Sequence, residues 1–229
     1  MRKYKFDPHT HTSESSHCGL LTAAELVEAY HAHGYAGIAI TDHVCEYYCS
    51  GFDNWADAVH NRLIGYKAAK KRGDELGLDV ILGIELRFNI NWSDYLIYGI
   101  DENFLLANPH PYKLTPKDFY KRHGSDVLII QAHPYRDITQ PPFTESIHGI
   151  EVYNGNPRHN NNDKKVHALC KKFPSYYLIN GSDAHEPQDV GGEWININRR
   201  VTDSFQLRDA IIKRQYTLGR KPKGLEALV

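Results

Sequence analysis

Short apolar runs alternate with amphipathic stretches along the whole chain. Runs rich in branched and aromatic residues predict buried strands, and apolar residues recurring near every 3.6 positions predict helices. Seven segments predict strands: KYKFDPH, GIAITDH, DVILGIELRF, YLIYGI, VLIIQAHP, GIEVYNG and YYLINGSDAH. The predicted helices cover residues 22–34, 54–77, 115–123, 161–172 and 204–215, of which 54–77 is either one long helix or a broken pair.

This alternation predicts a single α/β domain over residues 1–229. Strands that read as continuous apolar runs, with helices between most of them, are typical of a parallel sheet covered on both faces. We therefore expect a distorted (β/α)7 TIM-like barrel, with residues 109–116 as a rim loop. A doubly wound open sheet is the alternative, although no G-x-G-x-x-G segment opens a helix.

Composition and net charge argue against several classes of protein. The net charge of −1 argues against binding long nucleic acids or acidic membranes through bulk charge. The sequence contains no apolar run of 18 residues, which is the length that would indicate a membrane-spanning helix. The four cysteines include no C-x-x-C pair, so we expect reduced thiols and a cytoplasmic location.

Metal-binding side chains recur where the predicted strands end. In a parallel barrel these ends meet on one face, and residues two apart on a strand point the same way. Each short motif has an ordinary structural interpretation alone, but the set predicts a polynuclear metal site on that face. The polar strand-end residues are His9, His11, Asp42, His43, Glu85, Gln131, His133, Glu151, Asn154, Asp183 and His185.

Other histidines do not fit this pattern. Six of the 14 histidines fall in or beside helical stretches, where surface or capping roles are the better interpretation. His110 and His159 lie in predicted rim loops, and the sequence leaves their role open. The helical set is His31, His33, His60, His123, His148 and His167.

Three arginines follow ligand-bearing strands by a few residues. Arg87, Arg136 and Arg158 occur in ELR, HPYR and NPR. Guanidinium groups bind phosphate oxygens in bidentate fashion, so these offsets favour a phosphate site at the rim. For any one arginine, an ordinary salt bridge is an equally good interpretation.

The ordered motifs resemble the PHP family, which is named for polymerase and histidinol phosphatase. The resemblance covers residues 7 to about 192, and it implies a distorted seven-stranded barrel with two or three divalent ions. It also implies hydrolysis of phosphate esters. The motifs are HTHTSESSHCG, ITDH, GIE, AHP, EVYNG and GSDAH.

The resemblance also implies a role for each ligand. A first ion would be held by His9, His11 and Asp183, with Glu85 bridging to a second ion that takes His133; a third ion would take His17, His43 and His185. Glu85, Asp183 and His185 would carry the catalysis. Where the family often has another histidine ligand of the second ion, this chain has Leu96, and Asp94 on the same strand face is the substitute we expect.

These features predict a hydrolase that removes phosphate from a small phosphomonoester. Imidazole and carboxylate ligands suit Zn²⁺, Mn²⁺ or Fe²⁺, which would activate the attacking water. Histidinol phosphate, nucleotides and sugar phosphates all fit. A phosphodiesterase or nuclease, or another barrel hydrolase, stays open. A non-catalytic binding module in which the metal ions only stabilise the fold is less favoured, because structural metal sites are usually closed by four ligands.

Overall fold

The computed structural model describes residues 3–136 and 144–221, and the strands and helices alternate along most of that length. The strands are β1 Tyr4–Thr10, β2 Gly37–Ile40, β3 His43–Val44, β4 Asp79–Leu82, β5 Ile84–Arg87, β6 Asp94–Tyr98, β7 Leu128–Gln131, β8 Gly149–Asn154, β9 Tyr177–Gly181, β10 Glu193–Ile197 and β11 Tyr216–Arg220. The helices are α1 Ala23–Ala32, α2 Glu46–Cys49, α3 Trp55–Arg62, α4 Ile64–Leu76, α5 Glu102–Ala107, α6 Pro116–His123, α7 Asp163–Lys172 and α8 Ser204–Ile212. Short 3₁₀ turns lie at Pro111–Lys113 and Pro187–Asp189.

The strands form two mixed sheets. The first has the order β11-β10-β1-β2-β4, and the second has the order β3-β5-β6-β7-β8-β9. β1, β2 and β4 are parallel, as are β3 with β5 and β7 with β8 and β9. The pairs β1–β10, β10–β11, β5–β6 and β6–β7 are antiparallel.

This arrangement confirms the α/β class but differs from the single parallel barrel that we expected. In the described part of the chain, the two sheets do not close into one (β/α)7 barrel. One reason is local: only residues 88–93 separate β5 from β6, which is too short for a crossover helix, so the two strands pair antiparallel. β10 and β11 were absent from the predicted strands and extend the first sheet.

The two sheets meet where the candidate ligands lie. Gly83 alone separates β4 of the first sheet from β5 of the second. On the other side, Thr10 at the end of β1 bridges Ala184, and the Asp183 amide donates to the His9 carbonyl at 2.9 Å. The end of β1 is therefore held to the segment after β9 by backbone contacts, and the start of β5 directly follows the end of β4.

A proline shapes the end of β1. Pro8 has no N–H for the sheet ladder, and the pairing of β1 with β2 shifts register between Asp7 and Thr10. The buried Asp7 carboxylate replaces the lost ladder contacts by accepting from the amides of His9 and Ser182, both at 3.1 Å. This irregularity positions the histidine that follows the proline.

Apolar side chains fill three regions around the sheets. α1 and α4 cover the outer face of the first sheet, with Leu26, Val27 and Tyr30 fully buried against it. Residues of α3, α5, α6 and α7 pack on the second sheet. A third cluster lies between the sheets and includes Leu96 and residues of α8. No described helix is both long and apolar enough to cross a membrane.

The close approach of α4 to the loop after β1 gives a test of the packing. Thr12 donates to Asp42 through its amide and its hydroxyl, at 2.8 and 2.7 Å. A Cβ at Gly65 would collide with the Thr12 hydroxyl and lie 2.9 Å from Asp42 Oδ2. We expect Gly65→Ala to lower the free energy of unfolding by about 1–3 kcal/mol, measured by urea denaturation.

Gly51→Ala is the matched control, because a Cβ there meets nothing within 4 Å. Its unfolding free energy should stay within about 0.5 kcal/mol of the parent protein. Equal stability of the two variants would contradict the close packing of α4 on Thr12.

Candidate metal centre

His9 lies at the end of β1, fully buried, with a carboxylate on each side of its ring. Its Nδ1 lies 3.0 Å from Glu151 Oε1, while Nε2 lies 3.4 Å from Glu85 Oε1 and 3.3 Å from Asp183 Oδ1. Burial lowers the pKa of His9, but the charges of Glu151, Asp183 and Glu85 outweigh this and raise it well above its usual value. If Nδ1–H donates to Glu151, an unprotonated Nε2 would point its lone pair at two carboxylates. A cation between them removes that repulsion, so the residues fit a metal ion.

Glu85 lies at the centre of the cluster. β5 alternates, so Ile84 and Leu86 pack into the helix-covered core and Glu85 points to the interior. Its Oε1 lies 3.0 Å from His133 Nε2, and its Oε2 lies 3.0 Å from His43 Nδ1. Burial raises the pKa of Glu85, but the charges of His9 and His43 reverse this and lower it well below its usual value.

The second oxygen of Glu85 is buried among imidazoles. Glu85 is 1% exposed, and Oε2 lies 3.0 Å from His43 Nδ1 and 3.2 Å from His11 Nε2, neither in good hydrogen-bonding geometry. A buried carboxylate oxygen is stabilised by a well-placed donor or by a cation. The surroundings of this oxygen therefore fit a divalent metal ion.

Asp183 and His185 lie in the segment that follows β9, on either side of the bridge residue Ala184. Asp183 has a φ of +54°, and His133 on the facing loop has a φ of +27°. Such values cost non-glycine residues of order 1–3 kcal/mol and are concentrated at functional sites. Asp183 Oδ1 lies 3.3 Å from His11 Nε2 and 3.4 Å from His185 Nδ1. This segment therefore brings two candidate ligands to the cluster.

The ligand atoms fall into three overlapping groups within the described residues. In each group, the imidazole nitrogens and carboxylate oxygens lie within 4.8 Å of one another. His11 and Glu85 each belong to two groups, so the positions for cations are adjacent. The groups are His11 with His43 and His185; His9 with His11, Glu85 and Asp183; and Glu85 with Asp94 and His133.

Asp94 lies on β6 close to the candidate ligands, as expected for a substitute for the histidine that Leu96 replaces. In the antiparallel pairing of β5 with β6, Leu96 lies opposite Glu85, and Asp94 lies opposite Arg87. Leu96 is fully buried in the cluster between the sheets, while the Asp94 carboxylate comes within 3.8 Å of His133 Nε2. Asp94 therefore places a carboxylate oxygen in one of the three groups, on the strand that lacks the expected histidine.

Glu151 supports the candidate ligands without joining a ligand group. Its Oε1 contacts His9, and its Oε2 accepts from the His133 amide at 2.9 Å and from Asn154 Nδ2 at 2.8 Å. A carboxylate behind a metal-binding imidazole fixes the ring orientation and tautomer. Glu151 therefore orients two of the candidate ligands.

The three arginines line the wall of a cavity of about 750 Å³ above the cluster. Each guanidinium is already held by a carboxylate: Arg87 by Asp94 at 2.6 and 2.7 Å, Arg136 by Asp183 at 2.6 Å, and Arg158 by Asp189 at 2.8 and 2.9 Å. Their positive charge in the cavity is therefore partly neutralised. Asp189 also accepts from the amides of His185 and Glu186, both at 2.9 Å.

The PHP domain profile matches residues 7–184 of this chain. The chain belongs to the PHP domain family. No curated protein matches the sequence. Among solved structures, a two-domain protein from Bacteroides vulgatus ATCC 8482 that contains a predicted PHP-like metal-dependent phosphoesterase aligns with a TM-score of 0.66 and 17% identity. That alignment covers 96% of this chain and 65% of the larger protein.

Two further structures share the fold of this PHP domain. PsfC from Pseudomonas syringae PB-5123 aligns with a TM-score of 0.65 and 16% identity, over 97% of this chain and 93% of PsfC. An amidohydrolase from Chromobacterium violaceum aligns with a TM-score of 0.56 and 18% identity, over 93% of this chain and 97% of that one. At these identities the likeness is one of fold.

One of the expected ligands of this PHP domain, His17, lies outside the candidate metal centre. His17 is exposed and joins none of the three groups; its ring contacts Tyr48 at 5.6 Å between centroids. The thiol of its neighbour Cys18 accepts a hydrogen bond from the Tyr48 hydroxyl at 3.8 Å. Burial raises the pKa of the Cys18 thiol, but its interactions with His185 and His43 outweigh that effect and lower it to about 5.

Cysteine spacing did not identify Cys18 as a residue of this site, because spacing indicates a site only when cysteines occur in pairs. The available signal was its place beside His17, directly before Gly19 in the histidine-rich loop.

Several remaining histidines lie away from the cluster. His31, His33, His60 and His167 are exposed, in agreement with the surface roles that their helical positions predict. His148 accepts a hydrogen bond from the Ile129 amide at 3.0 Å. Of the two histidines left open, His159 lines the cavity and His110 contacts the Tyr112 hydroxyl at 2.8 Å.

Substitution of Glu85 tests whether the cluster binds cations. Saturating Mn²⁺ or Zn²⁺ should raise the melting temperature of the metal-free protein by about 5–10 °C, the shift expected for a ligand at a hundred times its Kd. EDTA should reverse the shift. Glu85→Gln keeps the size but removes the central negative charge, so most of the cation-induced shift should disappear in differential scanning calorimetry.

Glu75→Gln is the control, since Glu75 is an exposed residue of α4 that pairs with Arg72. It should keep the full cation-induced shift. An undiminished shift in Glu85→Gln would place the cation outside this cluster.

Proposed function

We propose that this PHP domain is a metal-dependent phosphatase that removes the phosphate from a small phosphomonoester. The observation that carries the proposal is the sharing of Glu85 between two ligand groups at the floor of an open cavity. A structural metal site is usually closed by four protein ligands around one ion. Overlapping groups beside a cavity are instead suited to catalysis on a bound anion.

The reaction explains why several cations are needed. Hydrolysis of phosphate monoesters requires an acceleration of up to about 10²¹-fold, of which one positioned acid or base supplies about 10²–10⁴-fold. The three groups would hold divalent ions, which would supply a nucleophile from water at neutral pH and neutralise the phosphoryl oxygens. The imidazole and carboxylate ligands suit Zn²⁺, Mn²⁺ or Fe²⁺.

Individual residues have separate roles in the proposed reaction. Glu85 holds adjacent cation positions together, and Asp183 and His185, 3.4 Å apart, are the side chains we place beside the reacting water and the leaving oxygen. Arg87, Arg136 and Arg158 face the phosphate oxygens from the cavity wall. Because each arginine is paired with a carboxylate, its main task is to orient the phosphate, while the cations provide most of the positive charge.

The structural neighbours support this class of reaction. The Bacteroides vulgatus protein contains a predicted PHP-like metal-dependent phosphoesterase. The Chromobacterium violaceum amidohydrolase was crystallised with bound sulfate and no metal. Because this neighbour is an amidohydrolase, amides belong in the substrate panel beside phosphate esters.

Elemental analysis and a substrate panel test the proposal together. Protein expressed with ample metal should carry at least two transition-metal ions per chain. It should hydrolyse at least one phosphomonoester when assayed with Mn²⁺, Zn²⁺ and Fe²⁺ in turn, and EDTA should abolish turnover. One ion or fewer per chain would contradict the cluster. Turnover of uncharged esters or amides alone would replace the phosphatase with another hydrolase.

Substitution of Arg87 tests the phosphate wall. Arg87→Gln retains a donor toward Asp94 and removes the positive charge, so KM for a phosphomonoester should rise about tenfold, a loss of about 1.4 kcal/mol. Bound metal, measured on the same sample, should be unchanged.

Arg72→Gln is the matched control, because Arg72 also pairs with carboxylates, those of Glu28 and Glu75, but lies outside the cavity. Its kinetics should equal those of the parent. An unchanged KM in Arg87→Gln would remove Arg87 from the phosphate site.

A further inference from the structure

Two aromatic side chains stand exposed on the wall of the cavity. Trp92 is 81% exposed and Tyr47 is 79% exposed, the largest values for any large apolar side chain in the described part of the chain. A single exposed aromatic residue is ordinary on a protein surface. Here both line the cavity that also contains His43, Glu85 and Asp183.

Trp92 projects from a turn that is anchored on both sides. The turn joins β5 to β6, and the buried Asn91 holds it by donating to the Tyr95 hydroxyl at 3.2 Å and accepting from the Ser93 amide at 3.3 Å. The Asn89 amide also donates to the Tyr112 carbonyl at 2.8 Å. The backbone below Trp92 is therefore fixed while its indole remains open to a ligand.

Tyr47 begins a row of rings that leads down to the ligand cluster. Its ring meets that of Tyr48 edge-on, with centroids 5.0 Å apart and an interplanar angle of 82°. Tyr48 in turn stacks on His43, with centroids 5.7 Å apart and an angle of 6°. The row connects the rim directly with an imidazole of the candidate metal centre.

The cavity is larger than a phosphate group requires. A volume of about 750 Å³ lies within the range of about 300–1,000 Å³ that is usual for pockets that bury a drug-sized ligand. A phosphoryl group at the cluster leaves most of this space for the alcohol portion of the ester. The wall that faces this remaining space carries the two exposed aromatic side chains.

We propose that the alcohol portion of the substrate carries a planar aromatic ring system, and that Tyr47 and Trp92 bind this ring by stacking. This inference rests on the proposed phosphatase activity and names its substrate class. Flat rings bury their faces against Tyr and Trp at little cost in side-chain entropy, and stacking tolerates many ring types. The two residues therefore determine specificity, while the phosphate is bound at the cluster.

The test compares two pairs of phosphate esters in which one member carries a planar ring and the other does not. Adenosine 5′-monophosphate and ribose 5-phosphate share the same primary phosphate ester, and 2-phenylethyl phosphate with 2-cyclohexylethyl phosphate forms a second pair. The metal-loaded parent protein should show the higher kcat/KM for the planar member of at least one pair. In Trp92→Ala and Tyr47→Ala the ratio within that pair should fall about tenfold, mainly through KM, and Trp92→Phe should restore most of it.

Phe205→Ala is the control, because Phe205 is a partly exposed aromatic residue of α8 outside the cavity. Its ratio should match that of the parent. If phosphomonoesters are hydrolysed without preference for the planar member of either pair, or if the preference survives both alanine substitutions, the ring-binding role is wrong. If no phosphomonoester is hydrolysed with any metal, the phosphatase proposal itself fails, and the ring-binding role fails with it.

Discussion

The buried carboxylate of Glu85 is the constraint on which the rest of the site depends. A carboxylate that is 1% exposed is destabilising unless cations or donors surround it. The imidazoles of His9, His11, His43 and His133 all approach it within 3.4 Å. Since these residues come from β1, β3, β5 and the loop after β7, neutralising one charge requires both sheets to be in place.

Other buried carboxylates hold this arrangement together from behind. Glu151 fixes a ring nitrogen of His9 and the backbone of His133, and Asp42 fixes the loop between His11 and His43 by accepting from Thr12 and Ser16. These acids accept hydrogen bonds from groups whose positions matter, which is why they lie outside the ligand groups. Acidic side chains of the same type thus have different roles according to the donors around them.

The antiparallel step from β5 to β6 positions residues of both the candidate metal centre and the cavity. Pairing in this direction sets Asp94 opposite Arg87 and Leu96 opposite Glu85, and Asp94 is the residue of β6 that joins a ligand group. The same short turn carries Trp92 to the wall of the cavity. One local connection therefore places a candidate ligand and an exposed aromatic side chain beside the same cavity.

The sequence by itself predicted the α/β class, the helix-covered strands and nine candidate ligands, eight of which lie in the three groups of the described structure. Alternation along a strand, which places residues two apart on one face, accounts for part of this. His9 with His11 and Asp183 with His185 follow that rule. His17 does not, since it lies in a loop without a fixed period, and there the tertiary structure places Cys18 against His43 and His185. The antiparallel pairs and the extra strands β10 and β11 were also decided only in three dimensions. Strand direction depends on which neighbour a strand meets, and a local hydrophobic pattern carries no information about that neighbour.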